Sequence, residues 1–354
     1  MWSVRIFLHR SSTHASIHPS RQKRTGDGSG TGRGGKLAVK PLNPFTLTVS
    51  VPPHRHCGTT VRDRMLNILI AMVPAAVMAY ATFGMIAVQV MALSMATATL
   101  TELVCDRLMG RESDIHNLNA FTVGLCFAFL LPASAPWWLV ITGSAASIIL
   151  GKMVFGPLGG SPFCAPLVGW AICRISWPGF MDIDASMLAT DLTYPLAQLK
   201  NFGLDAIQIT DTKQLFLGKQ LGGLGAVQIA GVLLGGMFLV MRKHISSIIP
   251  VGVLAGVSLT AWMFNMADPA VYASPEFHLL TGSTVFGAFF LATDGPSSPN
   301  RQIPMLLFGL LVGALIIIIR VYGAYPDGVP FAILLANLFT PVLERIRPKP
   351  FGVR

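Results

Sequence analysis

SWPGFMDIDASMLATDLTYPLAQLKNFGLDAIQITDTKQLFLGKQL, residues 176–221, is a long polar stretch set between two apolar blocks. It holds five of the sixteen acidic residues: Asp182, Asp184, Asp191, Asp205 and Asp211. On either side, from Met65 to Trp177 and from Gly222 to Ile346, the chain runs through one apolar segment after another, parted by short turns. A polar loop of this length divides the chain into a first half, a loop and a second half.

Composition supports a membrane class. The chain of 354 residues is 52% hydrophobic and 12% charged, with a mean hydropathy of +0.60. Soluble domains carry about 25% charged residues. The apolar segments are continuous rather than alternating, which points to helices and away from an outer-membrane barrel. The expected fold is an all-α integral membrane protein with about ten transmembrane helices, in two five-helix halves joined by a long polar extracytoplasmic loop. The spans fall near 65–83, 86–106, 119–132, 136–155, 164–177, 222–241, 246–264, 278–293, 303–321 and 329–345. The third and fifth are short against the ~20 residues a helix needs to cross ~30 Å of hydrocarbon. They read as tilted helices, half-helices or re-entrant segments. In domain terms, 65–177 is the first transmembrane half, 178–221 the external loop and 222–345 the second half.

The net charge of +10 does not indicate nucleic acid, because of where it lies. Eleven of the 26 Lys and Arg precede Met65. With the N-terminus in the cytoplasm, the external segments carry only Lys200, Lys213, Lys219 and Arg320. Every other Lys and Arg, apart from Arg174 within the fifth span, falls on the inside. That is the bias that orients a multi-pass protein. An even number of spans returns the C-terminus to the cytoplasm, so the acidic 178–221 loop faces the periplasm of a bacterial plasma membrane.

The flanks carry little chemistry. Residues 1–45 are basic and rich in Ser and Gly, and are expected to be disordered. Met1 to Leu8 lacks the features of a secretory signal. Residues 46–64 form an N-terminal arm in which His54 and His56 are read as solvated, and 346–354 is a basic cytoplasmic tail. The cysteines Cys57, Cys105, Cys126, Cys164 and Cys173 are odd in number and include no C-x-x-C. They read as buried small apolar residues rather than as a cluster site within this chain. No Walker sequence and no dinucleotide-binding glycine pattern occurs, so a partner subunit would bind any NAD. No metal site and no catalytic residue is assigned.

Several separated motifs occur in a fixed order: Asn119-Ala-Phe-Thr-Val-Gly-Leu-Cys-Phe-Ala-Phe-Leu-Leu-Pro132 with Pro136-Trp-Trp138, Gly151-Lys-Met-Val-Phe-Gly-Pro-Leu-Gly159, Pro195-Leu-Ala-Gln-Leu-Lys200, and Thr281-Gly-Ser-Thr-Val-Phe-Gly-Ala-Phe-Phe-Leu-Ala-Thr-Asp294. Through these, residues 46–350 resemble the NqrB/RnfD family of membrane subunits. The resemblance implies a covalent FMN, joined through its phosphate to a threonine of the external loop by a separate flavin transferase. It implies a place in an Rnf-type membrane complex that moves electrons between ferredoxin and NAD and couples this to Na⁺ or H⁺ transport. The related branch serves an NADH:quinone oxidoreductase, and a secondary transporter with no redox role is the rival class.

Thr190 matches the modified threonine, as the end of Ser186-Met-Leu-Ala-Thr190. Asp191-Leu-Thr193-Tyr194 stands before Pro195-Leu196, where the family pattern puts Pro-Leu directly after the threonine, so Thr193 is the alternative. Two further departures are Cys164, where an asparagine is usual, and Gly295 between Asp294 and Pro296. A second flavin, or contacts to its ring, is implied near 281–294.

Charges at membrane depth are costly and mark ion paths or partner contacts. Glu102 and Asp106, i and i+4 on one helix face, and Asp294 are candidates for such a role. Lys152 and Arg174 are the cations at comparable depth.

Overall fold

The computed structural model describes residues 60–111, 115–156, 159–181, 192–204 and 212–346. The expectations for the N-terminal extension, most of the arm, Thr190 and the tail beyond 346 lie outside these residues.

The described residues are helical, with no strand among them. Five segments are long and apolar enough to cross a membrane: Val61–Phe83 (α1), Met85–Leu108 (α2), Trp137–Phe155 (helix α4, Trp137–Ile149, with the turn after it), Ile248–Ala267 (α9) and Gln302–Tyr322 (α12). Four apolar helices are shorter: Asn119–Leu130 (α3), Ala165–Ser176 (α5), Ile229–Met241 (α8) and Val329–Leu343 (α13). The connecting elements are Pro195–Phe202 (α6), Thr212–Phe216 (α7), Pro275–Leu280 (α10) and Thr284–Phe286 (α11), the last running into a π-helical turn, Gly287–Leu291.

Local chemistry sets many of the ends. Thr60 and Asp63 form a reciprocal cap at the start of α1: Asp63 N donates to Thr60 Oγ1 at 3.1 Å and Thr60 N donates to Asp63 Oδ2 at 3.0 Å. This satisfies amides that have no partner within the helix. Gly84, at φ +66°, lets the chain reverse between α1 and α2. Pro166 and Pro330 open α5 and α13, where the missing amide costs nothing.

Helices meet through small residues, as they must where lipid offers no hydrophobic drive for association. A Cβ on Gly235 of α8 would sit 1.8 Å from Ala71 O of α1. On α9 and α12, Gly256 and Gly313 face one another, and a Cβ on Gly313 would sit 2.5 Å from both Val253 O and Val257 N. Ser94 of α2 donates to Gly124 O of α3 at 2.7 Å. The centre of the molecule is aromatic. Phe129 of α3 lies 5.6 Å from Phe286 of α11, and Phe286 stacks on Phe290 at 5.4 Å. Trp170 of α5 packs edge-on to Phe331 of α13 at 5.2 Å.

Two expected spans differ from the structure. Residues 222–228, expected as the start of the sixth span, are not helical. Their amides cap α3 instead: Leu224 N donates to Leu131 O at 2.8 Å and Ala226 N to Phe129 O at 3.1 Å. Gly225 has no room for a side chain there, since a Cβ would sit 2.4 Å from the Phe129 ring. The eighth span, expected as one helix over 278–293, is broken at Gly282, which takes φ +67°. α10 ends before it, α11 starts after it, and Arg320 donates to the carbonyls the break exposes.

Candidate functional site

Arg320 stands at the last turn of α12, 6% exposed. Its Nη1 donates to His278 O at 2.8 Å; its Nη2 donates to Thr281 O at 3.0 Å and Thr284 Oγ1 at 2.8 Å, and lies 3.3 Å from Asp327 Oδ1. Asp327 in turn accepts from Ser283 N at 3.0 Å and Ser283 Oγ at 2.5 Å through Oδ2. One guanidinium therefore closes the carboxyl end of α10 while its carboxylate partner closes the amino end of α11. A buried charge is tolerated only when paired and hydrogen-bonded in this way.

The segment that carries Thr193 leans on this network. Thr193 is exposed, and its carbonyl accepts from Leu221 N at 2.8 Å. Tyr194, next along, is buried. Leu196 lies against Gly282, where a Cβ would meet Leu196 Cδ1 at 2.7 Å. From α6, Lys200 donates its ammonium to the carbonyls of Gly323 and Tyr325, and burial pushes that ammonium below the ordinary lysine value. The exposed hydroxyl of Thr193 thus sits on a backbone held on both sides.

Between these groups lies a cavity of only ≈ 40 Å³, lined in part by Arg174, Tyr194, Ser283 and Asp327. Arg174, the cation of the fifth span, donates to Met181 O at 2.6 Å and stands 5.3 Å from the Tyr325 ring centre.

At the start of α1 a larger cavity, ≈ 460 Å³, is lined by Arg64, Asn119, Thr122, Cys126, Cys164 and Asp294, among others. Ser297 Oγ donates to Asp294 Oδ2 at 3.3 Å. Arg64 lies against Gly295, and its buried Nε has no partner among the described residues. Cys126 and Cys164 are buried in the apolar core, as expected, and also line this cavity, while Cys173 is wholly buried between α4 and α5.

Glu102 and Asp106 are both buried on α2, as their spacing implies. Glu102 pairs with the ammonium of Lys152, after α4. Asp106 has no such cation among the described residues, and its Oδ2 is buried without a partner there. The three acidic candidates are therefore not one site: Asp294 lines the large cavity, while Glu102 and Asp106 are buried on α2, Glu102 against Lys152 after α4. Thr190 is outside the described residues.

Arg320 and Asp327 were not foreseen as site residues, whereas Ser283 falls in the segment 281–294 that the resemblance marks for a flavin contact. Arg320 reads in the sequence as an external-loop charge, and the structure puts it inside α12. The available signal was an arginine closing the apolar run Leu310–Ile319, with an aspartate seven residues on.

Known proteins share this chain's pattern over nearly its whole length. Residues 48–352 match the model of the NQR2, RnfD, RnfE family. A protein of Acetobacterium woodii, named as the D-type subunit of a Na(+)-translocating ferredoxin:NAD(+) oxidoreductase complex, is 33% identical over 318 residues, 88% of this chain and 97% of the relative. A Clostridium ljungdahlii protein, named as the D-type subunit of a proton-translocating ferredoxin:NAD(+) oxidoreductase complex, is 32% identical over 334 residues, 90% of this chain and all of the relative. A Yersinia pseudotuberculosis protein, named as the D-type subunit of an ion-translocating oxidoreductase complex, is 31% identical over 349 residues, 86% of this chain and 98% of the relative.

Proposed function

The chain belongs to the NQR2, RnfD, RnfE family, and on that premise we propose that it is the D-type membrane subunit of an ion-translocating ferredoxin:NAD⁺ oxidoreductase complex. The observation that carries this is end-to-end similarity to subunits of that name, which leaves no separate domain of those relatives unmatched. The chain acts as one part of a translocase, with other subunits of the complex as its partners, and is not catalytic by itself.

In this reading the chain carries FMN on Thr190, or on Thr193, attached by a flavin transferase. The fit rests on the neighbourhood of Thr193: an exposed hydroxyl, open to a modifying enzyme, on a segment fixed by Leu221 N, buried Tyr194 and the Lys200 contacts. The flavin, when bound, supplies a carrier that takes up and releases electrons. The residues around it do the rest. Arg320 and Asp327 keep the neighbouring break in the helix fixed, and Lys200 ties α6 to the loop after α12.

A second flavin fits the large cavity at the opposite end. The volume of ≈ 460 Å³ falls within the ~300–1,000 Å³ usual for small-molecule sites. Asn119, Thr122 and Asp294 offer polar groups to a ring edge, and the unpartnered Arg64 Nε supplies a buried donor.

For the membrane, the reading is ten crossing or partly crossing segments in two five-helix halves, in a bacterial plasma membrane. Both termini are cytoplasmic and residues 178–221 are periplasmic. Trp138 against Trp177 at 5.5 Å and Phe180 at 5.2 Å, at the loop's end of α4 and α5, supports an interfacial position there. The choice between Na⁺ and H⁺ is not assigned.

The test is the pair Thr190→Val and Thr193→Val, each inserted and assembled, examined for flavin fluorescence on a denaturing gel. Loss of the fluorescent band in the first variant alone is expected. Loss in the second alone moves the attachment to Thr193. A band kept in both places the attachment on another residue, and a band absent from the unaltered chain removes the covalent flavin and promotes a transporter without a redox role.

A further inference from the structure

A third cavity is an open groove of ≈ 570 Å³ where α1 ends. Its wall is apolar: Met78 and Ala81 of α1, Leu192, and Leu217 after α7. Its polar groups are mostly engaged or out of reach. Thr82 Oγ1 donates to Met78 O at 2.9 Å within α1. Gln228 is 0% exposed, with its Oε1 turned onto Gly218. Lys219 is the exception. It is exposed, and its ammonium forms no ion pair among the described residues.

The groove continues a face that meets lipid. Ile70, Val73 and Val77 are all exposed, and they fall at i, i+3 and i+7, on one side of α1. Ala81, one turn beyond Val77, is exposed as well and opens the groove. α1 is long and apolar enough to cross a membrane, and such a helix turns an apolar face of this kind to acyl chains. Tyr80 is exposed beside it, near the helix end, where aromatic rings sit among headgroups. A lipid-facing track thus ends at a single cation. A second groove of similar size, ≈ 550 Å³, lies on α9 and α12 between Ala255, Trp262 and Leu310 and has no charged residue in its lining.

We propose that the groove between α1 and Lys219 binds an anionic phospholipid. An acyl chain lies along Val73, Val77 and Ala81, and the headgroup phosphate meets the Lys219 ammonium. A lysine at a membrane surface attracts anionic headgroups. The occupant is a lipid rather than free phosphate, because an inorganic anion gains nothing from four apolar side chains. The groove on α9 and α12 offers the same shelter to a chain without selecting its headgroup. This rests on the membrane reading of α1 and not on the flavin.

The experiment uses the full-length chain purified in detergent. It is titrated with phosphatidylglycerol or phosphatidylcholine of the same acyl chains, and bound lipid is counted by native mass spectrometry. The unaltered chain should bind phosphatidylglycerol about fivefold more tightly, the preference one lysine confers at an anionic surface. Lys219→Met should abolish that preference and leave phosphatidylcholine binding unchanged. Ala81→Trp, which fills the groove, should remove the preferred lipid, and Ala255→Trp, in the second groove, should keep it. Lys219 is on the surface, so its variant decides the matter even if Ala81→Trp folds poorly. Equal affinities in the unaltered chain, or a preference that survives Lys219→Met, would overturn the site. Loss of the preferred lipid in Ala255→Trp would overturn its location. Displacement of the lipid by inorganic phosphate would show a free-anion site and overturn the lipid as occupant.

Discussion

Arg320 and Asp327, seven residues apart, form a 3.3 Å ion pair that spans the turn between α12 and α13. Through it the broken helix at Gly282 is held from both sides. The arginine takes the carbonyls of His278 and Thr281, and the aspartate takes the amide and hydroxyl of Ser283.

Removing one partner should therefore cost more than removing both. Asp327→Ala leaves a buried guanidinium uncompensated, at about 3–5 kcal/mol. Lower yield and a lower unfolding temperature in detergent are expected. Arg320→Met with Asp327→Leu should recover part of the loss, because no charge is then stranded. An Asp327→Ala chain as heat-resistant as the wild type would refute the pairing.

Glu102 and Lys152 invite the same comparison with a different readout. If Glu102 serves ion movement, Glu102→Gln slows turnover of the assembled complex while flavin stays attached. Coupling it with Lys152→Met restores a neutral interior, so insertion and assembly should be normal and turnover should stay slow. Full turnover in the double variant would reduce Glu102 to the structural partner of Lys152. Asp106→Asn, one turn along the same face, is the matched control and should keep turnover.

The contact between α9 and α12 has no space to give. Gly313→Ala would push a methyl to 2.5 Å from two backbone atoms of α9, and overpacking of this kind costs about 1–3 kcal/mol. The unfolding temperature in detergent should fall. Gly179→Ala, with nothing within 4 Å of the added carbon, should leave it unchanged. Equal behaviour of the two would contradict the close approach.

Sidedness is open to a direct measurement. A reporter active only in the cytoplasm, fused after Arg354, should be active, and one fused at Asp205 should be silent. The opposite pattern would place Thr190 and Thr193 inside, out of reach of a flavin transferase acting at the outer face.

By itself, the sequence determined what depends on neighbouring residues. Apolar runs of sufficient length gave α1, α2, α9 and α12, because a helix in lipid must satisfy its own backbone and present apolar side chains all round. The short third and fifth runs were legible as short. The family was readable too, from motifs kept in order. What depends on distant residues was decided only by tertiary structure. Glu102 reads in the sequence as one of an acidic pair with Asp106, and only folding brings Lys152, fifty residues on, against it. Arg320 looked like a loop cation, although its acceptors lie about forty residues earlier, at His278 and Thr281. The run 278–293 looked continuous because hydropathy does not register the left-handed turn at Gly282 or the guanidinium that takes up the freed carbonyls. Burying a charge or breaking a helix inside a membrane protein is tolerable only when a partner stands ready, and that partner is supplied by the fold rather than by the next residue in the chain.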